Sequence, residues 1–196
     1  MGRHLGGGDL MALERLRASL KEAPVVRFGD YDYFVHPITD GIPLGRPELL
    51  QEVAEEIVHI GAWDCDKITT AESMGFPLAA VVSLRTGKPY VFLRKRQYGL
   101  PGEVSVAQAT GYGKANLYIN NIRRGDRIVF LDDVISTGGT LRAVIPALRA
   151  IGAEVVDVIV VFEKTRDKAR LERDLGITIK SLLKVDVIDG RVVERR

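Results

Sequence analysis

Residues 129–140, which read VFLDDVISTGGT, decide the fold of this chain. An apolar strand runs directly into two carboxylates, Asp132 and Asp133, and then into a turn rich in hydroxyl groups and glycine. Apolar residues with helical spacing follow from Thr140 to Ile151. The glycines let backbone N–H groups approach an anion, the hydroxyls add donors, and the helix N-terminus supplies partial positive charge. The stretch therefore predicts a phosphate-binding turn between a buried strand and a helix.

The two carboxylates next to this turn add acceptors for hydroxyl groups. The turn is not a P-loop, because no Gly-Lys-Ser/Thr closes it, and it is not a Rossmann fingerprint. Adjacent carboxylates accept hydrogen bonds from neighbouring hydroxyls more strongly than neutral groups do. A phosphate site beside hydroxyl acceptors describes a site for ribose 5-phosphate. The alternative is an ordinary strand-turn-helix whose acids are only solvated.

Strands and helices alternate on both sides of this stretch. The patterns predict strands at 67–70, 89–93, 127–131 and 155–162, and helices at 77–84 and 140–151. Such alternation predicts an α/β fold with a central, mainly parallel sheet flanked by helices. The glycine-rich segment 97–115, here called the lid segment, interrupts the pattern. Unstructured segments of this length in compact domains usually have a function, such as covering a site.

The sequence before residue 67 predicts a mixed arrangement. Residues 1–10 are glycine-rich, and we expect a flexible extension followed by a single domain over 11–196. Helical spacing recurs at 11–22 and 47–60. Between these helices, residues 25–45 alternate aromatic, polar and turn residues, which predicts short strands and loops. We call residues 25–45 the hood segment.

Composition excludes several classes of function. The chain has 196 residues, with Lys+Arg 28 and Asp+Glu 26, so its formal net charge is +2. A charge this near zero argues against a nucleic-acid polymer as the main partner. The single cysteine, Cys65, excludes an internal disulfide and a multi-cysteine zinc site, and we expect it to fill the core. Without an apolar run of membrane-spanning length or a signal-peptide pattern, we expect a cytoplasmic protein and no membrane partner.

At residues 129–140 the chain resembles the type I phosphoribosyltransferases, and the resemblance extends from about residue 11 to 190. Within that family it is most similar to the purine enzymes, above all the archaeal-type hypoxanthine/guanine phosphoribosyltransferases, with close similarity to adenine phosphoribosyltransferases. The resemblance implies the single-domain type I fold with an N-terminal hood and a flexible lid loop. It also implies two substrates, a purine base and phosphoribosyl pyrophosphate, and a homodimer with the lid near the interface.

The resemblance implies a role for each motif. Asp132 and Asp133, the implied catalytic residues, would bind the ribose hydroxyls. Arg94 and Lys95 would hold pyrophosphate together with Mg²⁺, which would bind mainly through diphosphate, ribose hydroxyls and water and have no direct protein ligands. Met74 stands where adenine-type enzymes usually carry arginine, so contact there would come from backbone groups. The other implied phosphoribosyl pyrophosphate-binding residues are Glu72, Ser73, Met74 and Gly75 in the pyrophosphate loop, and Ser136, Thr137, Gly138, Gly139 and Thr140 in the phosphate turn.

The implied reaction sets the demands on the site. Displacing pyrophosphate from the sugar develops positive charge on the ring and negative charge on the leaving group, so positioning and charge compensation are needed and no protein nucleophile is. Water must be excluded, because it would hydrolyse the activated sugar. That task falls to the lid segment, where Tyr112 and Lys114 are candidates to approach the diphosphate.

The base is predicted from Lys164, which follows the strand at 155–162 where adenine enzymes tend to carry an apolar residue. An ammonium group only donates hydrogen bonds, so it suits the 6-oxo group of hypoxanthine or guanine and mismatches the 6-amino group of adenine. Gly111 also stands where adenine enzymes commonly carry a glutamate. The alternative is a surface lysine paired with Glu163 or Asp167.

In the hood segment, Phe34 and Val35 are candidates to stack on the base, with core packing as the alternative. His36 precedes a proline in a turn, and we expect a structural role for it. Two other functions remain open, an adenine phosphoribosyltransferase making AMP and a regulator that senses phosphoribosyl pyrophosphate. About ten residues precede Met11, too few for a helix-turn-helix, so we expect an enzyme.

Overall fold

The computed structural model describes residues 12–29, 31–110 and 113–195, and for residues 108–110 and 113–115 it describes the backbone only. Helices and strands alternate along most of this length. In chain order the elements are α1 (Glu14–Glu22), β1 (Val25–Phe28), β2 (Tyr31–Phe34), α2 (Pro37–Asp40), α3 (Pro47–Ile60), β3 (Lys67–Ala71), α4 (Gly75–Thr86), β4 (Tyr90–Leu93), β5 (Val104–Thr110), β6 (Gly113–Ile119), β7 (Arg127–Ile135), α5 (Gly139–Ile151), β8 (Glu154–Glu163), α6 (Lys168–Leu175), β9 (Ile179–Ile188) and β10 (Arg191–Glu194).

The central sheet confirms the predicted α/β fold. Its strands lie in the order β10-β9-β8-β7-β3-β4, and all pairs are parallel except β10 with β9. Side chains alternate between the two faces of a strand, so in β7 Val129 and Leu131 enter one apolar cluster while Ile128 and Phe130 enter the other. Helices cover both faces, which explains why the central strands are nearly continuous apolar runs.

The lid segment is not the unstructured loop that its glycines predicted. β5 and β6 pair as an antiparallel hairpin from Val104↔Ile119 to Thr110↔Gly113. At its base, Leu117 and Ile119 are buried in the cluster that also contains α5, and Val106 packs against it. Apolar residues at alternating positions pack against the core and stabilise the two strands. The prediction of an unstructured segment rested on the glycines and missed this alternation.

The structure differs from the predicted elements in three further places. β7 continues to Ile135, so Asp132 and Asp133 lie within the strand and not after it. The hood segment forms the β1–β2 hairpin followed by the short helix α2. Residues 166–196 had no predicted elements, yet they contribute α6, β9 and β10. No helix in the described part of the chain is long and apolar enough to cross a bilayer.

Candidate active site

A cavity of about 450 Å³ opens at the carboxyl ends of β3 and β7. This edge of a parallel sheet is the usual place for ligands in α/β folds, because loops and helix N-termini converge there. The acid pair, the phosphate turn and the pyrophosphate loop meet at this one cavity. Its lining residues include Glu72, Ser73, Met74, Lys95, Asp132, Asp133, Ser136, Thr137, Gly138, Gly139 and Thr140.

Asp132 and Asp133 are adjacent acids that both line the cavity. Burial raises the pKa of Asp132 to about 6, although hydrogen bonds from Asp133 oppose the shift. Burial and the neighbouring charge of Asp132 raise the pKa of Asp133 well above its usual range, and Asp40 in α2 adds to this effect. Both carboxylates therefore gain from a ligand that brings hydroxyl donors or positive charge to them.

The phosphate turn is shaped by Gly138, which caps α5. Its φ of 75° lies in the left-handed region, and a Cβ there would come within 2.7 Å of the Leu171 side chain. Gly138, Gly139 and Thr140 at the start of α5 line the cavity together with Ser136 and Thr137. An anion there would meet donors and the positive end of the helix dipole.

An ion pair between Glu72 of the pyrophosphate loop and Arg94, just after β4, holds the loop in place. Glu72 Oε2 accepts hydrogen bonds from Arg94 Nε and from the Lys95 N–H, both at 2.9 Å. The Arg94 guanidinium also lies 5.4 Å from the centre of the Phe76 ring. Lys95 reaches the described cavity lining and Arg94 does not. The predicted contact between Arg94 and pyrophosphate therefore stays a prediction, and the structure gives Arg94 a second role in holding the loop.

Gly75 allows the loop to approach β3 closely. A Cβ at this position would lie 1.7 Å from Thr70 Oγ1, inside the buried end of the strand. Gly75 itself is absent from the described cavity lining, which includes Glu72, Ser73 and Met74, so its predicted contact with pyrophosphate stays a prediction.

A smaller recess adjoins the cavity on the side of the hood segment. Its lining consists of Tyr31, Tyr33, Phe34, Thr39, Val134, Ser136 and Lys164. The Lys164 ammonium donates to the carbonyl of Asp32 and lies 3.8 Å from the centre of the Tyr31 ring. The alternative was a surface lysine paired with Glu163 or Asp167; in the described residues Glu163 pairs with Lys168 at 3.0 Å, Asp167 lies 3.9 Å from Arg170, and Lys164 bonds to the hood segment.

The hood residues that line the recess and the cavity are not the two that the sequence predicted to stack on the base. Phe34 lines the recess but is buried in the core against Phe162, with ring centres 5.5 Å apart. Val35 is absent from the described lining of both spaces. Tyr33, which sequence analysis did not select, lines both. Period-two alternation in β2 groups Tyr31 with Tyr33, but only tertiary packing determines which face meets the cavity.

Asp40 organises the hood segment around Tyr33. Its Oδ1 accepts a hydrogen bond from the Tyr33 hydroxyl at 2.6 Å. Its Oδ2 accepts from the His36 N–H at 2.9 Å and from the Thr39 hydroxyl at 2.6 Å.

His36 is fully buried. Its Nδ1 accepts a hydrogen bond from the Ile38 N–H at 3.1 Å, and its Nε2 lies 2.8 Å from Ser19 Oγ. These contacts give His36 the structural role that its sequence position predicted.

Two predicted lid residues have no described side chain. Tyr112 lies outside the described residues, and Lys114 is described only through its backbone, which pairs with Ala109 in the hairpin. Their contact with diphosphate therefore remains a prediction. Cys65 is buried in the core, as expected.

Comparison with known proteins identifies the family. Residues 48–188 match the model of the phosphoribosyl transferase domain. A hypoxanthine/guanine phosphoribosyltransferase of Methanothermobacter thermautotrophicus is 56% identical over 92% of this chain and 93% of its own length. One from Methanocaldococcus jannaschii is 51% identical, over 91% and 98% respectively.

Solved structures give the same result for the fold. Adenine phosphoribosyltransferase from Thermoanaerobacter pseudethanolicus superposes with a TM-score of 0.71 at 26% identity, covering 88% of this chain and 99% of that one. The enzyme from Rhodothermus marinus gives 0.70 at 27%, covering 90% and 99%. An acid pair beside a phosphate turn at the carboxyl edge of a parallel sheet, together with these matches, shows that the chain belongs to the phosphoribosyltransferase family.

Proposed function

We propose that this protein is a hypoxanthine/guanine phosphoribosyltransferase of purine salvage, which converts either base and phosphoribosyl pyrophosphate to IMP or GMP and pyrophosphate. The observation that carries the choice of base is the position of the Lys164 ammonium in the recess next to the cavity. Relatives at 51% to 56% identity that bear this name support the proposal.

The sugar phosphate fits the large cavity. Asp132 and Asp133 would accept hydrogen bonds from the ribose hydroxyls, while the phosphate turn at the start of α5 would hold the 5-phosphate. Lys95 and the backbone of the pyrophosphate loop would stabilise the leaving group as its charge develops. The residues thus position the reacting groups and balance charge at both ends of the breaking bond.

Mg²⁺ fits the chemistry of this cavity through Asp132 and Asp133, whose buried negative charges favour a nearby cation. When bound with the diphosphate, the ion would neutralise charge on the leaving group. Among the described residues no group of three or more His, Cys, Asp or Glu side chains is placed to hold a metal by itself. The proposed route of binding is the one that the family resemblance implies, through diphosphate, ribose hydroxyls and water.

The recess has a volume of only about 20 Å³, so binding of a purine there would require the hood segment to move outward. Tyr31 and Tyr33 offer flat rings to a purine, and Lys164 offers a donor to a 6-oxo group. An unpaired buried donor costs about 1–3 kcal/mol, which is the scale of discrimination expected against adenine. One observation favours adenine as a second candidate: the Asp32 carbonyl accepts from Lys164 and would equally accept a 6-amino group.

The β5–β6 hairpin is the proposed lid. Its base is fixed in the core through Leu117 and Ile119, so closure over the diphosphate would involve the part beyond this anchored base. Excluding water there would protect the activated sugar from hydrolysis. We also propose a homodimer in the cytoplasm; sedimentation should then give about twice the mass of a 21.6 kDa chain.

The decisive assay compares bases. Purified protein with Mg²⁺ and phosphoribosyl pyrophosphate should convert hypoxanthine or guanine. Lys164→Met should lower kcat/KM for the 6-oxopurine about tenfold or more without changing the KM for phosphoribosyl pyrophosphate. Lys184→Met, at an exposed position of β9 opposite Glu163, is the matched control and should behave as wild type. Turnover with adenine alone would contradict the proposed base, and no turnover with any base would contradict the proposed enzyme.

A further inference from the structure

The backbone around Lys164 is tied to the strand that carries the acid pair. β8 ends at Glu163, and the N–H groups of Lys164 and Thr165 both donate to the carbonyl of Ile135, at 2.9 and 3.1 Å. Ile135 is the last residue of β7, immediately before the phosphate turn. The N–H groups of this segment therefore have partners on the side of the active site.

The carbonyl groups on either side of Lys164 are bound by one side chain from the opposite direction. Arg195 Nη2 donates to the carbonyl of Glu163 at 3.1 Å and to that of Thr165 at 2.8 Å. Hydrogen bonds from a charged, planar guanidinium are stronger and more directional than those from neutral donors. The two bonds therefore fix the peptide group just before Lys164 and the one just after Thr165, while the N–H of Thr165, bound to Ile135, fixes the peptide group between them.

Arg195 is itself held in place. Its N–H donates to the carbonyl of Lys184 at 2.8 Å. Its Nε lies 3.7 Å from Asp186 Oδ2 and its Nη2 lies 3.9 Å from Glu163 Oε1. These two carboxylates have side-chain exposures of only 12% and 7%, so solvent screens their attraction for the guanidinium weakly.

We propose that Arg195 is a positioning residue for purine recognition, which aims the Lys164 ammonium into the base recess by fixing the peptide group before Lys164 and the one after Thr165. The inference rests on the proposed function, because it takes Lys164 as the residue that meets the base. A lysine side chain has many rotamers, so the direction of its Cα–Cβ bond limits where the ammonium can lie. Displacement by about 1 Å is enough to impair a positioned contact.

The test separates recognition of the base from recognition of the sugar phosphate. IMP would fill both the recess and the cavity, whereas ribose 5-phosphate would fill only the cavity, so the ratio of their affinities reports base recognition. Titration calorimetry should show this ratio falling about tenfold in Arg195→Ala, with the affinity for ribose 5-phosphate unchanged. Arg195→Lys should give an intermediate loss, because an ammonium lacks the planar fork of donors. Arg191→Ala, at an exposed position of β10, the strand that ends just before Arg195, should leave the ratio unchanged.

A double variant tests the route of the effect. If Arg195 acts through Lys164, adding Arg195→Ala to Lys164→Met should lower the ratio no further than Lys164→Met alone. An unchanged ratio in Arg195→Ala, or equal losses for both ligands, would show a purely structural residue and overturn the inference. Should Arg195→Ala not fold, Asp186→Asn removes a carboxylate that holds Arg195 and should lower the ratio in the same direction; an unchanged ratio there also overturns it.

Failure of the proposed function gives a different result. In that case the wild-type protein itself would bind IMP no more tightly than ribose 5-phosphate, which removes the base site and the inference together. A wild-type protein that prefers IMP, with the same preference in Arg195→Ala, refutes the role of Arg195 alone.

Discussion

Asp132 and Asp133 lie within β7 and line the cavity that we propose to hold the sugar phosphate. The like charges and the burial that raise both pKa values are unfavourable in the unliganded protein and are compensated by ligand donors. The pair is therefore selected for binding at the expense of stability, as is common for functional sites.

Asp133→Asn tests this interpretation. We expect kcat/KM to fall about 100-fold or more, since the variant removes an acceptor that positions the sugar. The melting temperature of the unliganded protein should stay the same or rise, because one charge leaves a buried like-charge pair. Asp64→Asn, whose side chain is 95% exposed, is the control and should change neither quantity. Wild-type kinetics in Asp133→Asn would refute the role at the ribose.

The raised pKa values also predict how binding depends on pH. Hydroxyl donors and Mg²⁺ need ionised carboxylates, so the affinity for Mg²⁺ and phosphoribosyl pyrophosphate should fall as pH drops through about 6. For the unliganded protein the sign is opposite: a carboxyl whose pKa is higher when folded binds protons better in the folded state, so its contribution to stability declines as pH rises from 3.8 to about 6.

Calorimetric titrations between pH 5.5 and pH 8 measure the affinity. Phosphate groups of the ligand themselves titrate near pH 6, so the comparison must be made with the double variant Asp132→Asn/Asp133→Asn, in which neither carboxyl of the pair can titrate. Identical slopes in both proteins would contradict a contribution from the acid pair.

At the scale of elements, the contact between α4 and β3 sets the pyrophosphate loop. Gly75→Ala would push a methyl group into Thr70 Oγ1, and overpacking of this kind typically costs about 1–3 kcal/mol. We expect a lower free energy of unfolding in denaturant melts and a higher KM for phosphoribosyl pyrophosphate. Gly45→Ala, where a Cβ meets nothing within 4 Å, is the control. Recovery of stability in Gly75→Ala/Thr70→Ala relative to Thr70→Ala would confirm the contact as the cause; no loss in Gly75→Ala would contradict it.

His36, the residue just before α2, leads to a second predicted effect of pH, on the stability of the protein. Burial lowers the pKa of His36 to about 4, against the opposing charge of Asp40. A histidine whose pKa is depressed by folding stabilises the protein above its unfolded pKa of 6.5, and that contribution is lost as pH falls towards 4. The shift corresponds to about 3 kcal/mol at most. Denaturant melts of wild type and His36→Asn should differ in their pH slope over this range, whereas His59→Gln, at an exposed position, should keep the wild-type slope.

How far the sequence predicts these elements depends on the range of the forces involved. Strand and helix positions near residues 67–93 and 127–162 follow from local periodicity, and the structure confirms them. β7 extends past Leu131 because β8 pairs with it as far as Ile135↔Glu163, a tertiary effect that the sequence of β7 does not encode. Likewise, the contact of Arg195 with Thr165 joins residues 30 positions apart, and no local pattern signals it.

For the whole molecule, binding and folding are linked. A ligand that binds only the folded state at 100 times its dissociation constant adds about 2.7 kcal/mol to the free energy of unfolding. For a chain of this length that corresponds to a rise of about 5–10 °C in the melting temperature. We therefore expect Mg²⁺ with phosphoribosyl pyrophosphate to stabilise the protein by this amount. EDTA should remove most of the shift, and a full shift in its presence would contradict the proposed need for Mg²⁺.

The arrangement of the two spaces has an evolutionary consequence. Among the described residues, Tyr31, Phe34 and Lys164 line the recess without lining the cavity, and the acid pair lines the cavity alone. If the base and the sugar occupy these spaces as proposed, selection for a different base can act on these three positions, although Tyr33, Thr39, Val134 and Ser136 line both spaces. A family arranged in this way can diversify its substrates while inheriting one transfer reaction unchanged.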